Sequence, residues 1–242
     1  SVGSVRIDPT GRHLAYTVQQ RRWWQVIVDG QAGQNYTNVG KLHFSPDGRN
    51  LAFRTDRAGS FWVVINGADG EKYDNVSEPV WGPDSKVCAY AAWRQGRCTP
   101  VINNQEGEWY GEVYGFAFAG KGGKPAFCAR PAARLYKAMA VVGGKRGPEF
   151  DEVQYLVLSE DGRHSAYLGR NGSMWHAVVD GVQSNAYEEI ASPGVVFSPS
   201  GTRYAFRARR GETWMIVLDG KEIGEYDAVG PPIFSPDSRR TA

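Results

Sequence analysis

Along the chain, short runs that are apolar on successive residues lead repeatedly into turns rich in Asn, Asp and Gly. Such runs include Val26-Ile27-Val28, Val63-Val64-Ile65 and Ala177-Val178-Val179, and the turns are Asp29-Gly30, Asn66-Gly67, Asn103-Asn104, Gly143-Gly144, Asp180-Gly181 and Asp219-Gly220. A strand apolar at consecutive positions is covered on both faces, not one. Asn, Asp and Gly accept the positive φ that two-residue hairpin turns require. Before each run stands a small residue followed by an aromatic: Ala15-Tyr16, Ala52-Phe53, Ala89-Tyr90, Ala126-Phe127, Ala166-Tyr167 and Ala205-Phe206. After each turn comes a further aromatic (Tyr36, Tyr73, Tyr110, Phe150, Tyr187, Tyr226), then a branched aliphatic (Val39, Val76, Val113, Val153, Ile190, Val229).

A second turn sets the period. Asp8-Pro9-Thr10-Gly11 returns as Ser45-Pro46-Asp47-Gly48, Gly82-Pro83-Asp84-Ser85, Ser159-Glu160-Asp161-Gly162, Ser198-Pro199-Ser200-Gly201 and Ser235-Pro236-Asp237-Ser238. With a degenerate copy at Ala119-Gly120-Lys121-Gly122, these turns end at residues 11, 48, 85, 122, 162, 201 and 238, a spacing of 37 to 40. Self-similarity at such a period is the mark of a repeat architecture. Each repeat reads as four strands, A to D. In the second, A is predicted near 42–45, B around 51–54, C at 61–65 after a variable B–C loop, and D near 73–76.

Four-stranded units of this size, each sandwiched between neighbours, predict an all-β chain, a β-propeller with six complete repeats and the start of a seventh. The predicted boundaries are 4–41, 42–79, 80–116, 117–154, 155–194, 195–232 and, in part, 233–242, within one domain spanning 1–242. A β-sandwich would not need columns repeating in phase. Helical solenoids need amphipathic helices, which these Gly-punctuated units lack.

The turns Phe44-Ser45-Pro46-Asp47-Gly48-Arg49 and Phe234-Ser235-Pro236-Asp237-Ser238-Arg239, with the following Leu51-Ala52-Phe53, resemble the TolB-like (WD40-like) propeller repeat. The resemblance covers essentially the whole chain, and the fourth repeat departs from it by lacking Ser-Pro-Asp. It implies a propeller used for protein binding, alone or beside another domain, with no catalytic residues in the repeats. Ser1-Val2-Gly3-Ser4 matches the close of a repeat, and residues 233–242 open another. The expectation is therefore a portion of a longer protein.

Candidate chemistry is sparse. No Gly-x-Ser-x-Gly elbow and no phosphate-binding Gly-x-x-x-x-Gly-Lys-Ser/Thr loop occurs. The four histidines (His13, His43, His164, His176) show no metal-ligand spacing. The turn aspartates are read as caps of their own turns rather than calcium ligands. Three cysteines, Cys88, Cys98 and Cys128, argue against a disulfide framework, although Cys88 and Cys98 could face each other on neighbouring strands. No catalytic residue, metal or cofactor is assigned. The alternative reading is the non-catalytic propeller of a prolyl-oligopeptidase-like peptidase or other hydrolase, its catalytic residues outside this chain.

Charge adds one pattern. The net charge is only +2, which excludes a global polycation. Yet the B–C loops are consistently basic and the C–D turns net acidic. In a propeller these lie on opposite faces. The candidate binding residues are Arg22, Arg57, Arg94, Arg97, Arg130, Arg134, Tyr136, Lys137, Arg170, Arg209 and Arg210, with Trp93 beside them. The fourth B–C loop, lengthened between Cys128 and Lys137, is the favoured contact point. An Arg-rich face flanked by Trp suits an acidic protein surface first and nucleic-acid phosphates second. The competing explanation is that hairpin tips carry Arg for solubility and edge protection.

Overall fold

The computed structural model describes residues 2–123 and 125–242, so Ser1, part of the proposed repeat close, lies outside the described residues. Its described secondary structure is all strand and turn, with no helix long and apolar enough to cross a membrane. The chain divides into two compact units, Ser1–Val113 and Tyr114–Ala242. The strands form antiparallel sheets in which each sheet runs A-B-C-D in chain order.

In the first unit, one sheet is built from Val2–Ile7, Leu14–Gln20, Trp23–Val28 and Gln31–Tyr36. The second has Leu51–Arg57, Ser60–Ile65 and Ala68–Asp69 as strands B to D, and the third has Cys88–Arg94, Arg97–Ile102 and Gln105–Glu106. A fourth sheet (Glu112–Ala117, Ala126–Arg130, Met139–Val142, Lys145–Arg146) lies in the second unit except for Glu112 and Val113, and the second unit also holds a fifth (Glu152–Leu158, Ser165–Asn171, Met174–Val179, Val182–Gln183). A sixth follows with Tyr204–Arg210, Thr213–Leu218 and Lys221–Tyr226 as B to D, and Phe234 then bridges Thr241 as a further hairpin begins.

The double-sided apolar runs do what their pattern predicts. Val64 packs with Tyr36, Leu51 and Phe53 between the first and second sheets, while its neighbour Val63 packs with Tyr73, Cys88 and Tyr90 between the second and third. In the second unit, Val178 joins Phe150 and Tyr167 on one side of the fifth sheet, and Ala177 joins Tyr187 and Phe206 on the other. Burial on both faces of a sheet stabilises by about 25 cal/mol for each Å² removed from water.

Two expectations about the strands are corrected. Strand D does not reach Val76: Tyr73 bridges Phe61, but Val76 lies opposite Ala92 in the third sheet. Tyr73 and Val76 are buried in the same core between the second and third sheets, and the chain passes from one sheet to the other between them. Strand A thus comes in two pieces, such as Asn75–Val76 and Val80–Trp81, both pairing with Cys88–Arg94. Ser77 to Pro79 between them form a bulge, where Pro79 has no amide to give the ladder.

The variable B–C loop is likewise absent from most repeats. Gln20 pairs Trp23, Arg57 pairs Ser60, Arg94 pairs Arg97, Asn171 pairs Met174 and Arg210 pairs Thr213, leaving two-residue turns. Positive φ at Arg21 (55°), Ala58 (52°) and Gln95 (51°) supplies the twist these turns need. Most of the basic residues therefore sit on rigid strand ends rather than on loops. The fourth repeat alone among these hairpins has a longer connection, from Arg130 to Met139.

Candidate functional site

Most of the basic side chains at the B–C ends fold back onto their own sheets. In the third sheet, Arg94 Nη1 lies 3.3 Å from Glu106 Oε1, and its guanidinium stacks 4.8 Å from the Tyr73 ring centroid. Tyr73 donates its hydroxyl to the same Glu106 at 2.9 Å. The sixth sheet repeats the arrangement: Arg210 Nη2 is 2.9 Å from Glu222 Oε1, Tyr187 donates to that oxygen at 2.8 Å, and Arg210 stacks 5.3 Å from the Tyr187 ring. The Arg210 guanidinium, followed by Tyr187 and Asn185, holds the Glu222 carboxyl below its ordinary range. These are locks between consecutive sheets.

A second motif crosses single sheets. Arg170 on strand B donates Nη2 and Nε to Glu152 of strand A at 2.6 and 3.0 Å and lies 5.5 Å over Trp175 of strand C. Arg209 reaches Glu188 at 3.3 Å and Glu189 at 3.2 Å, and lies 5.9 Å over Trp214. The recurring aromatics Trp175 and Trp214 are half-buried beneath these guanidiniums, a packing role. In the fourth repeat, Arg130 donates to the Leu135 carbonyl at 3.0 Å, Arg134 pairs with Glu149 at 3.3 Å, and Lys137 pairs with Asp151 at 2.8 Å. Tyr136, 69% exposed, stands out from that loop.

The first unit contains a different arrangement. Arg22, in the first B–C turn, places its guanidinium 5.2 Å from the Trp23 ring centroid. Arg57, at the end of strand B in the second sheet, places its own 5.3 Å from the same ring. Both arginines are exposed, and among the described residues neither has a carboxylate within ion-pair distance. Nearby, exposed Arg97 donates to the Trp109 carbonyl at 3.1 Å, and Arg94 also stacks on Trp109 at 5.5 Å. Trp93 is half-buried, opposite Asn75 and Cys98.

The remaining polar columns are structural. Asp29 and Asp180 accept the Leu14 and Ser165 amides at 2.9 Å and take His13 and His164 Nδ1 at 2.7 Å. Ser45 donates to Asp47, and Ser159 to Asp161, within the turns, as the capping reading predicts. Consecutive turns also touch: Ser85 Oγ accepts the Asp47 amide, and Ser238 Oγ the Ser200 amide, each at 2.9 Å. A methyl added at Gly48 would stand 2.0 Å from Asp8 Oδ2. Among the described residues no group of three or more His, Cys, Asp or Glu forms a metal-like cluster. Cys88 lies opposite Trp81 and Cys98 opposite Trp93, at opposite ends of one strand pair, so they do not face each other; both, with Cys128, are buried thiols.

Two clefts open between sheets at equivalent places. The cleft between the first and second sheets holds about 450 Å³, that between the fifth and sixth about 210 Å³. Ala32 and Leu51 line the larger where Gln183 and Tyr204 line the smaller.

Sequence reasoning missed the partners of the basic residues. Glu106 and Glu222 each follow their arginine by twelve residues, and Glu152 and Glu189 precede theirs by 18 and 20. The twelve-residue offset, shared by both arginines, was the available signal. Trp23 directly precedes Trp24, the position that is Phe61, Trp175 and Trp214 in other repeats, and so stands off that aromatic column.

Comparison with protein-family models gives no match, and none of the curated proteins matches the chain. Solved structures to which the chain is similar include TolB from Acinetobacter baumannii, at 16% identity over 92% of this chain, with a TM-score of 0.31. The chain spans about half of that protein, 53%. Others are the β-propeller domain of the Trilobed protease from Pyrococcus furiosus (14% identity, 92% of this chain and 83% of that one, TM-score 0.42) and the Cps50 (Swd1) β-propeller domain from Myceliophteria thermophila (12%, 92% and 84%, TM-score 0.39).

Proposed function

We propose that the repeats are β-propeller blades, six complete and a seventh begun, and that the chain is a non-catalytic interaction module. Its contact surface is the Arg- and Trp-bearing B–C ends of the sheets, and its partner is a protein with an acidic surface. The observation that carries this reading is that the exposed guanidiniums of Arg22, Arg57 and Arg97 stand at two-residue hairpins, beside half-buried indoles such as Trp23. Such tips are pre-organised, so little side-chain and backbone entropy is lost on binding. Arg and Trp are also the residue types that dominate binding energy at protein interfaces.

The test is fluorescence anisotropy of a labelled Glu-rich peptide titrated with the full chain at two salt concentrations. Saturable binding that weakens with salt, and is absent for a Lys-rich peptide of equal length, supports the reading. No binding of the acidic peptide overturns it.

A further inference from the structure

We infer that Arg22, Trp23 and Arg57 form the anchor of that surface, a bracket that takes the carboxylates of an acidic polypeptide. The inference rests on the interaction-module reading and narrows it to one place. It comes from a comparison the chain makes with itself. Arg57, Arg94 and Arg210 occupy the same repeat position at the end of strand B. Arg94 and Arg210 are each held by a glutamate of strand D, Glu106 and Glu222, which also receives a tyrosine hydroxyl from the preceding sheet.

In the second sheet that strand D position is Asp69, one methylene shorter. Tyr36 reaches it only at 3.4 Å, and no ion pair joins Asp69 to Arg57. Arg57 turns instead to Trp23, which Arg22 also contacts. Strand A of that sheet supplies no carboxylate either: Asn38, opposite Asp56, stands where the fifth sheet has Glu152. Two like charges are thereby held on one indole without a counter-ion from the protein. Their mutual repulsion is relieved when a carboxylate binds between or across them, and the indole supplies an apolar floor for its methylenes.

The charge surroundings favour polypeptide over nucleic acid. Asp56 directly precedes Arg57, and the chain as a whole is nearly neutral. Two guanidiniums match one or two carboxylates rather than a phosphate backbone, whose binding grows with the number of phosphates neutralised.

The experiment compares four forms of the full chain in the anisotropy assay: the parent, Arg22→Ser/Arg57→Ser, Asp69→Glu, and a control, Arg49→Ser/Lys86→Ser, which removes the same charge from A–B turns of the same unit. Far-UV circular dichroism confirms folding. The bracket predicts about tenfold weaker binding for the double arginine variant, as for loss of an interface anchor, and parent-like affinity for the control. Asp69→Glu predicts weaker binding too, because the longer carboxylate captures Arg57 in the lock seen at Arg94 and Arg210. Binding that survives in both variants overturns the bracket and leaves the interaction-module reading standing. No peptide binding to the parent overturns that reading first. Tighter binding of a single-stranded oligonucleotide, lost in the double arginine variant, overturns the choice of polypeptide.

Discussion

Gly169→Ala tests whether the sheets are packed as tightly as their burial implies. Gly169 lies inside strand Ser165–Asn171, opposite Val153 and His176, with no left-handed φ to demand glycine. Removing the glycine's backbone freedom from a strand would by itself stabilise by about 0.5–1 kcal/mol. Packing opposes this. A Cβ at residue 169 would stand 2.5 Å from Cγ and Cδ2 of Phe150 and 2.6 Å from Cδ1. Carbon atoms ordinarily approach to about 3.5–4.0 Å, so the overlap is about 1 Å.

The ring has little room to retreat. Phe150 is fully buried, edge-on to Tyr167 at 6.4 Å and beside His176 at 6.2 Å. Overpacking a filled core costs about 1–3 kcal/mol. The steric cost exceeds the propensity gain, and the net expectation is a loss of about 1–2 kcal/mol, combining the two effects. Urea unfolding followed by far-UV circular dichroism reads it as a lower midpoint at unchanged slope. Phe150→Leu in the same background should recover part of the loss, so the two substitutions together cost less than their sum. A Gly169→Ala chain as stable as the parent, or strictly additive variants, would falsify the close-packing argument.

Three further outcomes are expected. Leu51→Phe, beside the larger cleft, should leave the urea midpoint unchanged or raise it, whereas Leu168→Phe, 1% exposed in a filled core, should lower stability by about 1–3 kcal/mol. Acid should destabilise the fold. Asp47, Asp161 and Asp237 are held below the ordinary value of 3.8 chiefly by the hydroxyls of Ser45, Ser159 and Ser235, and Glu152 below its own chiefly by Arg170. The unfolded chain thus binds more protons than the folded one, so the stabilisation is full above the unfolded values and is lost as pH falls through the folded ones; melting temperatures at pH 6 and pH 3 check the sign. Finally, burial pushes the Cys88 and Cys128 thiols up to about 12 and Cys98 to about 11, so a thiol reagent at neutral pH should label none of the three until denaturant is added.

The fold was legible because its determinants are local and recur. Hydrophobic runs two-sided at Val63-Val64, turns at Asn66-Gly67 and a fixed period each leave a mark on single residues, and six copies make the mark unmistakable. Strand boundaries were harder. Tyr73 and Val76 are three residues apart and both buried, and burial alone does not say that they serve different sheets. Only the register, with Tyr73 opposite Phe61 and Val76 opposite Ala92, separates them.

The candidate site was legible as a list of arginines and illegible as a set of partners, because a guanidinium reaches across strands that the sequence keeps apart. Even so, the repeat columns record the partnerships. Tyr36, Tyr73 and Tyr187 each precede a repeat that carries an acid at the second position of strand D: Asp69, Glu106 and Glu222. Where the following repeat has Gln183 instead, the aromatic is Phe150, with no hydroxyl to satisfy. Tyr110 turns its hydroxyl to Glu108 of its own repeat at 2.8 Å. A buried hydroxyl without a partner is costly, so the choice of Tyr or Phe follows the acceptor the next repeat offers. By the same logic Arg94 and Arg210 are held by Glu106 and Glu222, whereas Arg57, whose repeat carries Asp69 at that position, stacks on Trp23 instead.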